Sequence, residues 1–249
     1  MGVGSLAFIR SPIAYSDTSL IDGLKSELII ANKILSNQGV FDAFGHISFR
    51  VPSGPGAFIM SYSKSPELVT LDDLAVYDKL GEPLHQSERV SFRERYIHSE
   101  LYQSRPDVMA VCHHHSDAII PYTVTNTPMR PVVLVAATIG SKIPTWDPKD
   151  YLPFVNSAEK GRDFAKSMGD ATVALLRGHG CTVVGAGIRE VVMTSIYLQR
   201  NALMLSQSLA LGKVKSLSET EISKLRKILF APDSRDRAWE YWKHKLDVM

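Results

Sequence analysis

Residues 107–115, DVMAVCHHH, constrain this chain more than any other stretch. An apolar run of strand length ends in three consecutive histidines, out of eight in the whole chain. Successive side chains on a strand point to opposite faces. His113 and His115 therefore share one face, and His114 shares the other with Cys112. Two imidazoles two residues apart on a strand converge on one ion. Imidazole nitrogen is the commonest ligand for zinc and similar divalent metals, so the pair points to metal binding.

A third ligand has to come from elsewhere. The segment RGHGC places His179 between Gly178 and Gly180, directly after the apolar run TVALL. Glycine on both sides lets the backbone approach a ligand closely and take unusual angles. A carboxylate is also wanted. In ERYIHSELY, Glu94 and His98 are four apart and face the same way on a helix. Glu94 reads as a fourth ligand or a general base, with His98 orienting it; the spacing also suits a plain exposed helix pair.

The rest of the chain mixes strands and helices without a composition break. Of 249 residues, 45% are apolar and 22% charged, which describes a folded chain rather than a disordered one. Apolar residues at 21, 24, 28, 31, 34 and 35 predict a helix closed by Asn37 and Gly39. Strands are expected over 45–52, 56–63 and 74–78. An amphipathic helix is expected over 87–105, with Val90, Tyr96, Ile97 and Leu101 near one side and Pro106 ending it. A helix-like turn over 116–124 and a strand over 131–140 follow. Next come a helix over 157–169, two strands meeting at Gly178-His179-Gly180, a long helix over 189–212, and one or two more to the C-terminus. Residues 1–18 show no period and contain Pro12; they read as an arm packed on a neighbouring subunit. Residues 19–249 read as a single α/β domain.

Several function classes drop out. The net charge is +2 and no Lys/Arg stripe is visible, so a nucleic-acid partner is not expected. No apolar run approaches the roughly 18–20 residues needed to span a bilayer. The N-terminus lacks a secretory pattern, and Leu6 stands where a myristoylation signal wants Ser or Thr. Two cysteines, Cys112 and Cys181, are too few for a disulfide framework and fit a reduced cytoplasmic setting. Small-molecule chemistry is the expectation.

Taken together, the motifs have a familiar order. Glu94, His98 and Tyr102 at four-residue intervals precede RPDVMAVCHHHSDA, and RGHG follows. With the Gly-x-x-Ser of GHISFR, this pattern resembles the class II aldolase/adducin family over roughly residues 20 to 210. The resemblance implies a three-layer α/β/α domain around a largely antiparallel sheet. It implies that His113, His115 and His179 hold a divalent cation, zinc or manganese, and that Glu94 is the catalytic acid or base. It further implies a homotetramer with active sites at subunit interfaces, where WEYWKH at 239–244 is a candidate to reach the neighbour's site.

The sequence departs from the sugar-phosphate aldolases of that family at instructive places. His46 stands where they have Asn. MSYSKSPELV, with Ser61 and Lys64, replaces a phosphate-cradling turn, and Arg93 replaces the serine before Glu94. The pattern looks closer to the branch that decarboxylates hydroxylated pyridine or benzene dicarboxylates. His46, Ser61, Lys64 and Arg93 are then candidate contacts for an aromatic carboxylate, since Arg grips carboxylates bidentately, although cations bind phosphate as well. The alternatives are an aldolase or dehydratase acting on a sugar phosphate or hydroxy acid, and a non-catalytic adducin-like interaction module.

Overall fold

Strict alternation along the central strands sets up two cores, one on each face of a sheet. The computed structural model describes residues 18–52, 54, 56–149 and 152–248, so the expected arm lies outside the described residues except for Thr18. Seven strands form one sheet: β1 His46–Arg50, β2 Phe58–Ser61, β3 Leu74–Tyr77, β4 Ala110–His114, β5 Thr145–Trp146, β6 Val173–Leu176 and β7 Gly180–Gly185. Their spatial order is β3-β2-β1-β4-β7-β6-β5. Every neighbouring pair is antiparallel except β5 with β6. The expected largely antiparallel sheet is what the chain builds.

Among the described residues, seven α-helices surround it: α1 Thr18–Asn37, α2 Arg95–Ser104, α3 Ile120–Thr123, α4 Ala158–Met168, α5 Ile188–Leu211, α6 Glu219–Leu229 and α7 Pro232–Asp247. Ile47 and Phe49 of β1, Cys112 of β4 and Cys181 and Val183 of β7 point to one face, where they pack with α1, α5 and α7. Val111, Val184, Phe58 and Met60 point to the other, against Ile97 and Leu101 of α2 and Phe164 of α4. Burying each such side chain contributes about 1.5–3 kcal/mol, so each face needs its helical layer. No helix among the described residues is long and apolar enough to cross a membrane.

Local chemistry sets the helix ends. The Ser157 hydroxyl accepts from the Lys160 amide to open α4. Ser218 and Glu221 form a reciprocal capping box at the start of α6. The C-terminus supplies two helices, and Trp239 and Trp242 of α7 are buried in the core formed with α1 and α5. Two of the six residues in WEYWKH are thus committed to this chain's own interior.

Two expectations need correction. Residues 131–140 are not a strand; Leu134–Ile139 form a 3-10 helix packed between α5 and α6. An apolar run without alternation suits a buried helical turn as well as a strand. The helix expected over 87–105 begins only at Arg95. Residues 87–92 run without helical turns, the Val90 carbonyl accepts from the Ser63 amide, and the Val90 side chain is 72% exposed. One strand, the two-residue β5, carried no sequence signal.

Candidate metal centre

The register of the sheet assembles the centre. His46 of β1 pairs with His113 of β4, which pairs with Thr182 of β7. All three side chains lie on the α2/α4 face, opposite His114. His113 Nε2 lies 3.0 Å from His115 Nε2 and 3.4 Å from His179 Nε2, and the last two are 3.0 Å apart. Glu94 Oε2 completes the group, 3.4 Å from His113 Nε2 and 3.5 Å from His179 Nε2. These four residues offer donors within 4.8 Å of one another.

Glycine makes the approach possible. Gly178 has φ +62°, which favours a residue without a side chain. A Cβ on Gly180 would fall 2.3 Å from the His114 carbonyl oxygen. The turn between β6 and β7 can therefore press His179 against the end of β4 only with glycine at that position.

The surroundings orient each ligand. His113 Nδ1 lies 3.2 Å from the Thr182 hydroxyl, and His179 Nδ1 donates to the Pro153 carbonyl. With those protons on Nδ1, the Nε2 lone pairs of His113 and His179 face each other and His115. Lone pairs at such distances repel unless a cation lies among them. Tetrahedral bonds of ~2.0–2.1 Å imply ligand edges of roughly 3.3–3.4 Å, and octahedral bonds of that length imply roughly 2.9 Å. Five of the six separations, 3.0–3.5 Å, span both, and the sixth, Glu94 to His115, is longer but within 4.8 Å. The residues fit a divalent cation.

Glu94 is the N-cap of α2 rather than part of its face. Its Oε1 accepts from the Val155 amide at 3.3 Å, which leaves Oε2 for the histidines. Burial alone would push this carboxyl up, but His113 and His179 outweigh it and hold Glu94 well below the usual carboxylate range. Burial, with His113 and His179 adding, holds His115 down at about 3. His113 is also lowered, by burial first, although Glu94 opposes it. For His179 burial acts downward, yet Glu94 and the Pro153 carbonyl raise it. His113 and His115 are thus held unprotonated, as a cation requires, while Glu94 favours a proton on His179 that a bound cation would displace.

His98 does not orient Glu94 through a hydrogen bond. Its nitrogens face His46 Nδ1 at 2.7 Å and the Ser48 hydroxyl at 2.6 Å. His46 is 3% exposed and stacks on His113, with ring centroids 5.2 Å apart. The ring centroids of Phe92 and His46 are 4.7 Å apart, and those of Phe154 and His179 are 6.3 Å apart. Phe154 thus stands beside one ligand, and Phe92 stands beside the histidine that stacks on another.

Of the remaining candidates, Ser61 is buried at the end of β2, and Lys64 forms an ion pair of 2.7 Å with Asp73. Arg93 is exposed beside Glu94 and makes no hydrogen bond or ion pair with another described residue. Sequence reasoning missed Ser48, Thr182, Phe92, Phe154 and Pro153. Ser48 was within reach, because it follows His46 by two on one strand and so shares its face. The Pro153 carbonyl left no trace in the sequence.

Comparison with known proteins identifies the family. Residues 26–205 match the class II aldolase and adducin N-terminal domain family. The decarboxylase tropJ of Talaromyces stipitatus is 29% identical over 245 residues, covering 86% of this chain and 91% of that protein. A 3,4-dihydroxyphthalate decarboxylase of Arthrobacter keyseri is 26% identical over 218 residues, covering 82% and 86%. Among solved structures, an L-fuculose 1-phosphate aldolase from Glaciozyma antarctica superposes with a TM-score of 0.75 at 19% identity, covering 90% and 88%.

Proposed function

Because this chain belongs to the class II aldolase and adducin family, we propose that it is a metal-dependent carbon–carbon lyase, a decarboxylase of hydroxylated aromatic dicarboxylic acids. The observation that carries the reading is the aromatic lining of the metal centre. His46 and Phe92 stand on the His113 side, and Phe154 stands beside His179. The flat apolar faces of Phe92 and Phe154 suit a planar ring better than a polyhydroxylated chain, whose hydroxyls would lose hydrogen bonds to water there. The decarboxylases similar to this chain support the same direction.

In this reading His113, His115 and His179 hold a divalent cation, zinc or manganese, and Glu94 joins them when substrate is absent. The cation supplies Lewis acidity to a substrate oxygen next to the breaking bond. Loss of carbon dioxide leaves the bonding electron pair on a ring carbon, and a proton has to replace the carboxyl there. Glu94 Oε2 would take up the proton that the substrate hydroxyl gives up and deliver it to that carbon. Its Oε1 stays anchored on the Val155 amide, which keeps the carboxyl aimed at the centre. Arg93, adjacent in sequence and without a partner among the described residues, is the cation for a second substrate carboxylate. His46 lines the same wall. Ser61 and Lys64 belong to the substrate contacts only at their outer edge, since Lys64 is already paired with Asp73. A homotetramer with its active sites at subunit interfaces is part of the same proposal, and light scattering of the purified protein tests it.

The deciding experiment incubates the metal-loaded protein with a panel of hydroxylated benzene and pyridine dicarboxylates. Carbon dioxide should be released, the release should stop with a chelator, and zinc or manganese should restore it. Cleavage or dehydration of a sugar phosphate with no carbon dioxide from any aromatic acid would reverse the assignment. A protein that takes up no stoichiometric metal would return it to the interaction modules.

A further inference from the structure

Behind the metal centre runs a file of four buried polar side chains. His46 Nδ1 lies 2.7 Å from His98 Nε2, His98 Nδ1 lies 2.6 Å from Ser48 Oγ, and Ser48 Oγ lies 2.7 Å from the Tyr102 hydroxyl. None of the four residues is more than 3% exposed. Two elements supply them in register. β1 presents His46 and Ser48 two residues apart on one face, and α2 presents His98 and Tyr102 about one turn apart.

Distances alone leave the proton positions open; the closed end of the file settles them. The Tyr102 hydroxyl has Ser48 Oγ as its side-chain partner. The other group acting on its oxygen is the Val111 amide, which can only donate. A phenol proton left unbonded in the interior would cost about 1–3 kcal/mol, so it goes to Ser48. Ser48, accepting there, gives its own proton to His98 Nδ1. A neutral His98 then carries its proton on Nε2 and donates to His46 Nδ1. A neutral His46 is left with its proton on Nε2. A ring nitrogen that accepts carries no proton, so each ring in this arrangement is neutral. His46 Nε2 makes no hydrogen bond to another described residue and is not among the fully enclosed, unpartnered atoms.

We propose that Tyr102, Ser48 and His98 are positioning residues that lock His46 as a neutral Nε2–H donor toward a substrate carboxylate. The inference rests on the proposed function only in taking the substrate to lie against His46. A neutral donor is suited to a carboxylate that leaves as carbon dioxide. It orients the anion without the strong ground-state attraction of a cation, which would oppose loss of the charge. Fixing one tautomer in advance also removes the cost of selecting it when substrate binds.

Nitrogen-15 NMR of histidine-labelled, zinc-loaded protein reads the tautomer directly, with His46→Gln identifying the His46 signals. The parent protein should show His46 protonated at Nε2. Tyr102→Phe keeps the ring and removes the terminal donor, and Ser48→Ala breaks the file at its middle. Both should shift part of the His46 population to the Nδ1–H form. Both should also lower kcat/KM by roughly three- to tenfold, with near-UV circular dichroism unchanged. A parent His46 protonated at Nδ1, or a tautomer that stays fixed in both variants, overturns the proposal. The NMR readout needs no turnover. Failure of every aromatic acid would sink the functional reading alone, and an Nδ1 proton would sink this one even if decarboxylation proceeds.

Discussion

Two polar clusters in this molecule are built from similar parts and end in opposite states. Around Asp73, the Lys64 ammonium at 2.7 Å, the Thr70 amide and hydroxyl at 2.8 and 2.7 Å, and Arg89 at 3.2 Å all donate to one carboxylate. Every donor there meets an acceptor, and the cluster is complete as it stands. At the metal centre, Nε2 atoms and a carboxylate turn acceptors toward one another. That cluster is complete only with a cation from outside. The contrast separates a structural knot, whose cations stand partly in solvent, from a site that gathers acceptors in the interior.

The largest effect should come from removing an acceptor at the open cluster. His113→Ala, His115→Ala or His179→Ala should each abolish stoichiometric metal and lower activity by roughly two orders of magnitude or more. Asp73→Asn should leave metal content intact. His114 supplies an internal control. It is as buried as His113 but lies on the other face, bonded to Cys181 at 3.2 Å. His114→Ala should keep the metal and lose about 2–4 kcal/mol of stability to the cavity. Metal analysis and urea unfolding separate the two outcomes, and equal metal loss in His114→Ala would erase the distinction between faces.

Next in size is Gly180→Ala, which attacks how the open cluster is held rather than its ligands. Its Cβ would meet the His114 carbonyl oxygen at 2.3 Å and force β4 and β7 apart. We expect a loss of about 1–3 kcal/mol in stability and metal binding weakened by at least roughly tenfold. An unchanged metal affinity, measured by competition with a chromogenic chelator, would show that the turn adjusts without moving His179.

These contrasts also mark what the sequence could disclose. Period-two alternation placed His113 and His114 on opposite faces, as a strand requires, while His115, one residue past the end of β4, turns back to the His113 side. The glycines around His179 announced a close approach, and the α/β class followed from the mixture of strands and helices, whereas the three layers and the antiparallel sheet came only from the family resemblance. Glu94 was found, but not its position as N-cap, because helix starts depend on tertiary contacts such as the Ser63–Val90 pairing. The fate of Lys64 was hidden for a similar reason. Nothing local says that Asp73, nine residues on, folds back through a short 3-10 turn to hold it. Likewise Leu134–Ile139 has strand composition but is buried as a helical turn between α5 and α6.

Cations sharpen the comparison further. Arg93 is unpartnered among the described residues beside Glu94, whereas Lys64 and Arg89 are engaged by Asp73. Arg93→Ala should therefore raise KM for a dicarboxylate by about tenfold with metal content unchanged, the loss expected for a charge-assisted contact near solvent. Lys64→Ala should raise KM less and should lower stability instead. A larger KM effect from Lys64 would mean that substrate draws it away from Asp73.

The smallest effect tests whether the Asp73 knot is as complete as its geometry implies. Burial alone would raise the Asp73 carboxyl, but Lys64 and Thr70 bring it down to about 2. A folded pKa below the unfolded one means that the unfolded chain takes up the proton first as pH falls. The contribution of Asp73 is therefore fully present above the ordinary carboxylate range. It fades as pH drops through that range and is gone once pH passes about 2. Because Lys64 and Arg89 are themselves partly in solvent, the contribution should be only about 1–2 kcal/mol. Urea midpoints of the parent and Asp73→Asn should differ at pH 7 and converge toward pH 2. A difference that stays constant across that window would mean that Asp73 contributes through packing, and that the knot is no better satisfied as an anion than as an acid.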